Sequence, residues 1–356
     1  MPMTMRELML AVIDGREHDR VPFVQYDGIA APNEEVWSVI GRENMGVLRW
    51  SGVHGMEAPN CRFVTEEMEC KGRRGFRTVM HTPAGELSTE RVYEPTFNTS
   101  AAREHYVKEP ADYHVLLAYL RDVRVHDNPD QYLRDAEALG EDGLPMVSTG
   151  RTPWQQLWVQ WVSLEDLCLH AVDEPELLAE VTDELTRIML DIFESVRRAC
   201  NELPIRFVDI GDNITAPTIG LNNFRKYCVP LYQRLAEMLS ERDVKVFVHM
   251  DGDLKPLWEA IGESGVRGLD SFSPPPDNDT SAAEALAMWP QMRLFMNFPS
   301  SIHLARPEAI YAAAIEILEQ AGRSGRLQIQ ISENVPPGVW RTSYPEIVRA
   351  IRDFCG

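Results

Sequence analysis

The segment VKVFVHMDGD, residues 244–253, places His249, Asp251 and Asp253 directly after an alternating run of valines. Alternation with a period of two is typical of a β-strand. Gly252, within the polar cluster, allows a sharp change of chain direction. A neutral imidazole is the commonest protein ligand for a metal ion, and carboxylates often bind beside it. These polar residues therefore either cap their own loop or bind a ligand.

Further apolar runs, each followed by polar residues and then by a helical pattern, occur along the second half of the chain. They cover residues 145–150, 205–212, 244–251, 266–272, 292–298 and 326–333, and a run at 21–28 can form a first strand. Strands that alternate with helices indicate parallel pairing through crossover connections. The pattern predicts an α/β fold, either a doubly wound sheet or a closed (β/α)8 TIM barrel, and the barrel is our interpretation.

Polar side chains follow most of these runs. In such barrels the chemistry lies at the carboxyl ends of the strands. Aspartate and asparagine are also common in loops, because they cap helices and form turns. The polar residues at the predicted strand ends are Tyr26, Asp27, Asp209, Asp212, Asn213, His249, Asp251, Asp270, Asn297, Ser332 and Glu333. Together they predict a polar basin at one mouth of the barrel.

The first third of the chain has a different pattern. Residues 64–95 read as three strands separated by turns, with turn signals at Lys71-Gly72 and at Pro83-Ala84-Gly85. We therefore predict a single barrel domain over residues 1–356, with an antiparallel β-hairpin elaboration at about residues 60–100.

Composition excludes several classes of partner. The chain has 356 residues, with 35 basic and 55 acidic side chains and a net charge of −20. This balance argues against nucleic acid and against anionic membrane surfaces. The six cysteines form no C-x-x-C pair, and no run is apolar enough for a signal peptide or a membrane span. We expect a cytoplasmic protein and leave the oligomeric state open, a homodimer included.

Five stretches, in order along nearly the whole chain, resemble the uroporphyrinogen decarboxylase superfamily. They are FRTVMHTPAGEL (76–87), EHYVKEPADYHVLLAYL (104–120), HAVDEPELLAEVTDELT (170–186), VDIGDNITAPTIGLNNFRKYCVPLYQRLAE (208–237) and VKVFVHMDGDLKPLWEAIGESGVRGLDSF (244–272). The resemblance implies a (β/α)8 barrel. It also implies one of two chemistries: decarboxylation of a porphyrinogen, or zinc-dependent methyl transfer to or from a corrinoid.

The decarboxylase branch has an arginine-rich motif resembling R-Q-A-G-R, which binds the acidic side chains of its tetrapyrrole. The corresponding segment here, DRVPFVQYDGIAAPNEE, has no arginine after Arg20 and carries Asp27, Glu34 and Glu35 instead. Proteins usually recognise carboxylates through bidentate hydrogen bonds from arginine. The absence of arginines after Arg20 in this segment therefore counts against the decarboxylase reaction.

The methyltransferase branch is characterised by its zinc site. Members that methylate thiols have a zinc-binding pattern that resembles His-x-Cys followed by a distant cysteine. This chain has Asp251 in place of the first cysteine, in His249-x-Asp251. Its last strand is followed by Ser332-Glu333-Asn334, without the distant cysteine. Members that demethylate aryl ethers have a differently spaced motif. It consists of an acidic residue, then an acidic residue or cysteine after fourteen intervening residues, then a histidine after twenty more. Counting back from His249 gives Cys228 and then Asn213, so the spacing fits but an asparagine stands in the acidic position.

These considerations give the candidate site residues. Asp251 either binds the metal or orients His249, and Cys228 either binds the metal or fills space in its helix. The helical spacing of Trp154, Trp158 and Trp161 favours a packing role. The candidates are His249, Cys228, Asp251 and Asn213 for the metal, Asp212 and Glu333 for catalysis, and Tyr26, Asp27 and Trp340 for the substrate.

The resemblance and the residues together predict a zinc-dependent methyltransferase. Its substrate would be a small methylated compound, most simply an O-methyl compound, and the acceptor would be the Co(I) corrinoid of a partner protein. The chain has no D-x-H-x-x-G corrinoid motif, so the corrinoid would come from that partner. Two alternatives remain open: a cofactor-free decarboxylase, and a non-catalytic barrel that binds a corrinoid or a metal.

Overall fold

The structure is a computed structural model that describes residues 2–96 and 99–356. The chain forms two compact units. The first unit comprises Met1–Val53, Pro129–Thr149 and Ala199–Gly356, and the second comprises His54–Asn128 and Gly150–Arg198.

The strands among the described residues are β1 (Phe23–Tyr26), β2 (Gly46–Ser51), β3 (His54–Glu57), β4 (Arg62–Cys70), β5 (Arg73–Thr82), β6 (Gly85–Glu94), β7 (Thr99–Glu104), β8 (Arg124–Asp127), β9 (Gly143–Ser148), β10 (Phe207–Ile210), β11 (Lys245–His249), β12 (Gly268–Phe272), β13 (Arg293–Asn297) and β14 (Leu327–Ile331).

The α-helices are α1 (Met5–Asp14), α2 (Asn33–Ile40), α3 (Asp112–Asp122), α4 (Asp130–Leu139), α5 (Pro153–Gln156), α6 (Leu164–Asp173), α7 (Pro175–Ala199), α8 (Ala216–Asn223), α9 (Val229–Ser240), α10 (Trp258–Glu263), α11 (Ala282–Met288), α12 (Pro307–Ala321) and α13 (Trp340–Cys355).

The first unit is a closed parallel barrel. Its strand order is β1-β14-β13-β12-β11-β10-β9-β2, so neighbours in the barrel are also neighbours in the chain order of this unit. The registers pair, for example, Val24 with Gln330 and His249 with Asp270. The predicted (β/α)8 TIM barrel is confirmed.

Aromatic side chains fill the barrel interior. The rings of Phe207, Phe247 and Phe295 come from three strands, with centroids 4.7–5.7 Å apart. Phe247 has room because Gly268 stands opposite it on β12: a Cβ there would lie 2.1 Å from the Phe247 ring. Helix α1 contributes three buried side chains to the same cluster, Met9, Val12 and Ile13.

The second unit contains the predicted antiparallel elaboration. Strands β4, β5, β6 and β7 form one sheet in that order, and β3 pairs with β8 in a two-stranded ribbon. Lys71 and Gly72 join β4 to β5 with φ values of 51° and 77°, as the turn signal predicted for a tight hairpin. Residues 97 and 98, between β6 and β7, lie outside the described residues.

Each helix among the described residues is either too short or too polar to cross a bilayer.

Candidate functional site

His249 is the last residue of β11, and its side chain points into the barrel at the carboxyl end of the strands. Alternate side chains of a strand face the same side. Phe247, two residues earlier, belongs to the interior cluster, so His249 continues the inward row. Its exposed fraction is only 7%.

Asp270 holds the Nδ1 side of this imidazole. It lies on β12 directly opposite His249, and its Oδ2 is 3.2 Å from Nδ1. The Tyr26 hydroxyl donates a hydrogen bond to the same oxygen, and Gln330 Nε2 donates to Oδ1 at 2.8 Å. A fully buried carboxylate that accepts the Nδ1 hydrogen fixes the tautomer in which Nε2 carries a lone pair. Metal-binding histidines are typically oriented in this way.

Two further carboxylates face Nε2. Asp251 Oδ2 lies 3.7 Å away and Glu333 Oε1 lies 3.5 Å away, while Nε2 itself is buried without a hydrogen-bond partner among the described residues. One ligand atom from each of these three residues lies within 4.8 Å of the others. These three side chains could together hold a metal ion.

Asp251 is fixed by the loop that follows β10. Asn213 Nδ2 donates to Asp251 Oδ2 at 3.1 Å, from a backbone with a φ of 53° that asparagine tolerates better than most residues. Gly252 is required by close packing, because a Cβ there would lie 2.1 Å from the Thr215 side chain. Burial opposes ionisation of Asp251, but the His249 contacts and the Asn213 hydrogen bond outweigh burial and lower its pKa.

Glu333 is fixed by serines at the barrel rim. Ser271 Oγ donates to Glu333 Oε1 at 2.8 Å and lies 2.6 Å from Ser332 Oγ. Ser271 has a φ of 57°, and the β12–β13 register shifts between Leu269 and Phe272. Bulges and strained non-glycine residues concentrate at barrel rims and functional sites, where they redirect a side chain.

The carboxylates also control the charge of the imidazole. Burial would lower the pKa of His249, but its interactions with Asp251, Asp270 and Glu333 outweigh burial and raise that pKa well above its usual value. These three acids therefore favour a positive charge at the imidazole, whether from a proton or from a bound cation.

Asp212 and Cys228 lie in a neighbouring buried cluster around Tyr232. The Tyr232 hydroxyl donates to Asp212 Oδ2. Burial, then Asp212, then Cys228 raise the pKa of Tyr232 well above its usual value. Cys228 ends a π-helical turn, Phe224–Cys228, and contributes no atom to the described group around His249. The catalytic role of Asp212 and the ligand roles of Cys228 and Asn213 stay predictions.

The three predicted substrate residues occupy different environments. Tyr26 is part of the Asp270 network and lies 3.5 Å from His249 Nδ1. Asp27 accepts hydrogen bonds from Arg49 at 2.5 Å and from Asn33 at 2.6 Å. Trp340 is 2% exposed in the first turn of α13. Contact of these residues with a substrate stays a prediction.

Sequence reasoning did not assign roles to Asp270 or Trp50. Asp270 stood among the strand-end acids, but its contact with His249 depends on the β11–β12 register. Trp50 lies on β2, a strand that the sequence pattern did not reveal. Leu48 belongs to the interior cluster, so Trp50, two residues later, also faces inward, yet it is 41% exposed. Its ring meets the Tyr26 ring edge to face at 5.3 Å.

Comparisons with known proteins found one family match and similar solved structures. The family model described as uroporphyrinogen decarboxylase (URO-D) matches residues 132–353. A methyltransferase from Methanosarcina mazei is similar over 99% of this chain and 100% of its own, with a TM-score of 0.59 and 17% identity, which shows the fold. A B12-independent methionine synthase from Shewanella sp. W3-18-1, in complex with selenomethionine, covers 90% of this chain and 84% of its own, with a TM-score of 0.44 and 8% identity.

No curated protein sequence matches the chain. The family model spans more than half of it, and the closed barrel is the fold that the superfamily resemblance implied. The chain therefore belongs to the uroporphyrinogen decarboxylase family.

Proposed function

We propose that this chain is a zinc-dependent methyltransferase that moves a methyl group from an O-methyl substrate to the Co(I) corrinoid of a partner protein. The observation that carries the proposal is the unpartnered, buried Nε2 of His249, which faces Asp251 and Glu333 at 3.7 Å and 3.5 Å. The methyltransferase fold at TM-score 0.59 supports the same class of reaction.

The residues fit a zinc ion. Zinc ligand atoms lie about 2.0–2.2 Å from the metal, so two ligand atoms of a tetrahedral site are roughly 3.3–3.6 Å apart. The separations from His249 Nε2 fall close to that range. One imidazole and two carboxylates are a harder donor set than thiolates, which suits a substrate with an oxygen leaving group. Zinc held there would supply Lewis-acid polarisation of the ether oxygen.

The protein residues would provide positioning and a proton. Asp270, Tyr26 and Gln330 hold the His249 ring, and Asn213 holds Asp251. The corrinoid of the partner protein would supply the nucleophile that takes the methyl group, and the departing substrate oxygen would need one proton. The side chain of Glu333 is 37% exposed, so a substrate can reach this carboxylate. Asp212, bonded to Tyr232, is the other candidate acid.

The test is metal content, measured by inductively coupled plasma mass spectrometry. We expect about one zinc ion per wild-type chain and its loss in His249→Ala. Asp251→Asn should also lower the zinc content, and the exposed substitutions Asp183→Asn and Glu137→Gln are matched controls that should retain it. No metal in the wild type, even after zinc is supplied, would contradict the proposal.

The variant Glu333→Gln distinguishes a metal-ligand role of Glu333 from a role as the proton donor. If Glu333 is a ligand, the variant loses zinc. If it is the acid, zinc stays and methyl transfer falls by about 10²–10⁴-fold. Methyl transfer is followed from methoxylated compounds to a reduced corrinoid protein, through the visible spectrum of the corrinoid.

A cofactor-free decarboxylase is the second candidate, and the family match at residues 132–353 favours it. The acidic mouth opposes it, because a substrate carboxylate would meet Asp251 and Glu333. A metal-free wild type that releases carbon dioxide from an acidic substrate would place this reaction first.

A further inference from the structure

Trp50 is an exposed aromatic side chain at the mouth of the barrel. Along β2, alternate residues face the interior, and Leu48 lies in the interior cluster. Trp50 is the next inward residue toward the carboxyl end of that strand. Large aromatic side chains are usually more buried than its 41% exposure. The exposed indole surface therefore opens onto the mouth.

A single tyrosine connects this indole to the candidate metal site. The Tyr26 ring lies 5.3 Å from the Trp50 ring, edge to face, and its hydroxyl lies 3.5 Å from His249 Nδ1. Tyr26 is 7% exposed and is held by its hydrogen bond to Asp270. Because Trp50 is still 41% exposed beside this contact, part of its surface is available for another ring, in the edge or offset geometries that aromatic pairs prefer.

The charges around this indole determine which aromatic substrates can bind there. The mouth carries the carboxylates of Asp251 and Glu333, and the buried carboxylate of Asp270 lies beside His249. Arg49, beside Trp50 in sequence, is already paired with Asp27 at 2.5 Å and Asp135 at 3.5 Å. A substrate carboxylate that entered here would meet the like charges of Asp251 and Glu333.

We infer that Trp50 is a substrate-binding residue that stacks on the aromatic ring of an uncharged aryl methyl ether, and that the mouth discriminates against rings bearing a carboxylate. This inference rests on the proposed methyl transfer, and it names the substrate class of that site. The ring would lie on the indole, and its ether oxygen would face His249, Asp251 and Glu333.

The experiment is isothermal titration of the full chain, with and without added zinc, using three probes. They are 2-methoxyphenol, the same ring with a carboxylate (4-hydroxy-3-methoxybenzoate), and 2-methoxyethanol, which has no ring. The variants are Trp50→Ala, Trp50→Phe and the control Phe63→Ala, which removes an aromatic side chain that is 45% exposed on β4 of the other unit.

We expect 2-methoxyphenol to bind the wild type more tightly than either other probe. Trp50→Ala should weaken its Kd about tenfold, whereas Trp50→Phe should stay within about threefold. Unchanged binding in Trp50→Ala, equal binding of the carboxylated ring, or no binding of 2-methoxyphenol to the wild type would each overturn the inference.

Failure of the proposed methyl transfer can be distinguished from failure of the inference about Trp50. Binding that depends on Trp50 requires no methyl transfer, so it would persist if the reaction were another one. Conversely, methyl transfer with an unchanged KM in Trp50→Ala would support the reaction and contradict the role of Trp50.

Discussion

Asp270 contacts the Nδ1 side of His249, and its two oxygens accept hydrogen bonds from two other strands. Tyr26 on β1 donates to one oxygen and Gln330 on β14 donates to the other. The candidate metal ligand is therefore oriented by a residue that the motif VHMDGD does not contain. The imidazole geometry depends on three strands of the barrel besides its own.

We predict that Asp270→Asn weakens zinc binding by about 10–100-fold, because an amide holds the Nδ1 hydrogen less strongly than a carboxylate does. The measurement is competition for zinc with a chromophoric chelator. Asp135→Asn, which changes another buried aspartate of the same unit, is the control and should keep wild-type affinity. Equal affinities in all three proteins would show that Asp270 does not position the ligand.

At the scale of elements, the β11–β12 pair sets the distance between His249 and Asp270. Phe247 packs into the space that Gly268 leaves on the neighbouring strand. Sequence reasoning located both strands, because their apolar runs were 244–251 and 266–272. It did not identify β2 (Gly46–Ser51), because Arg49 interrupts the apolar run after Val47 and Leu48.

Gly268→Ala should destabilise the chain by about 1–3 kcal/mol, since the new methyl group overlaps the Phe247 ring and the core must shift. Gly262→Ala, in α10, is the matched control: its Cβ would lie no nearer than 3.4 Å to Trp289. Urea unfolding followed by circular dichroism gives both values. A Gly268→Ala midpoint equal to that of the control would refute this explanation of the glycine.

In the second unit, Asp127 at the end of β8 binds α7. It accepts hydrogen bonds from Arg198 at 2.6 Å and Ser195 at 2.5 Å. The Arg198 hydrogen bond is the main cause that lowers the pKa of Asp127 to about 2, against 3.8 ordinarily. A carboxyl group with a depressed folded pKa stabilises the fold above its unfolded pKa, and this stability is lost as the pH falls toward the folded value.

Asp127→Asn should therefore cost stability at pH 7, and the difference from wild type should shrink between about pH 4 and pH 2. Because the side chain is 48% exposed, solvent screening limits the loss to about 1 kcal/mol. Thermal unfolding over a pH series measures it, with Asp183→Asn as control. A pH-independent difference would mean that the charge of Asp127 does not contribute.

For the whole molecule, a metal that binds the folded chain alone must stabilise it. Free zinc at 100 times its Kd adds about 2.7 kcal/mol. For a chain of this length that corresponds to a rise of roughly 3–5 °C in Tm. Differential scanning fluorimetry with zinc and with a chelator should show this rise in the wild type. An equal rise in His249→Ala would assign the bound zinc to other residues.

The sequence alone predicted the (β/α)8 barrel and the antiparallel sheet, because strand and helix periodicities and turn residues are local signals. It also singled out His249 and Asp251, which are two residues apart, and Glu333 as a strand-end acid. Only the tertiary structure placed Glu333 Oε1 3.5 Å from His249 Nε2, Asp270 beside Nδ1 and Trp50 beside Tyr26. Those contacts depend on strand register and barrel closure, which bring together residues that the chain separates by between 21 and 84 positions.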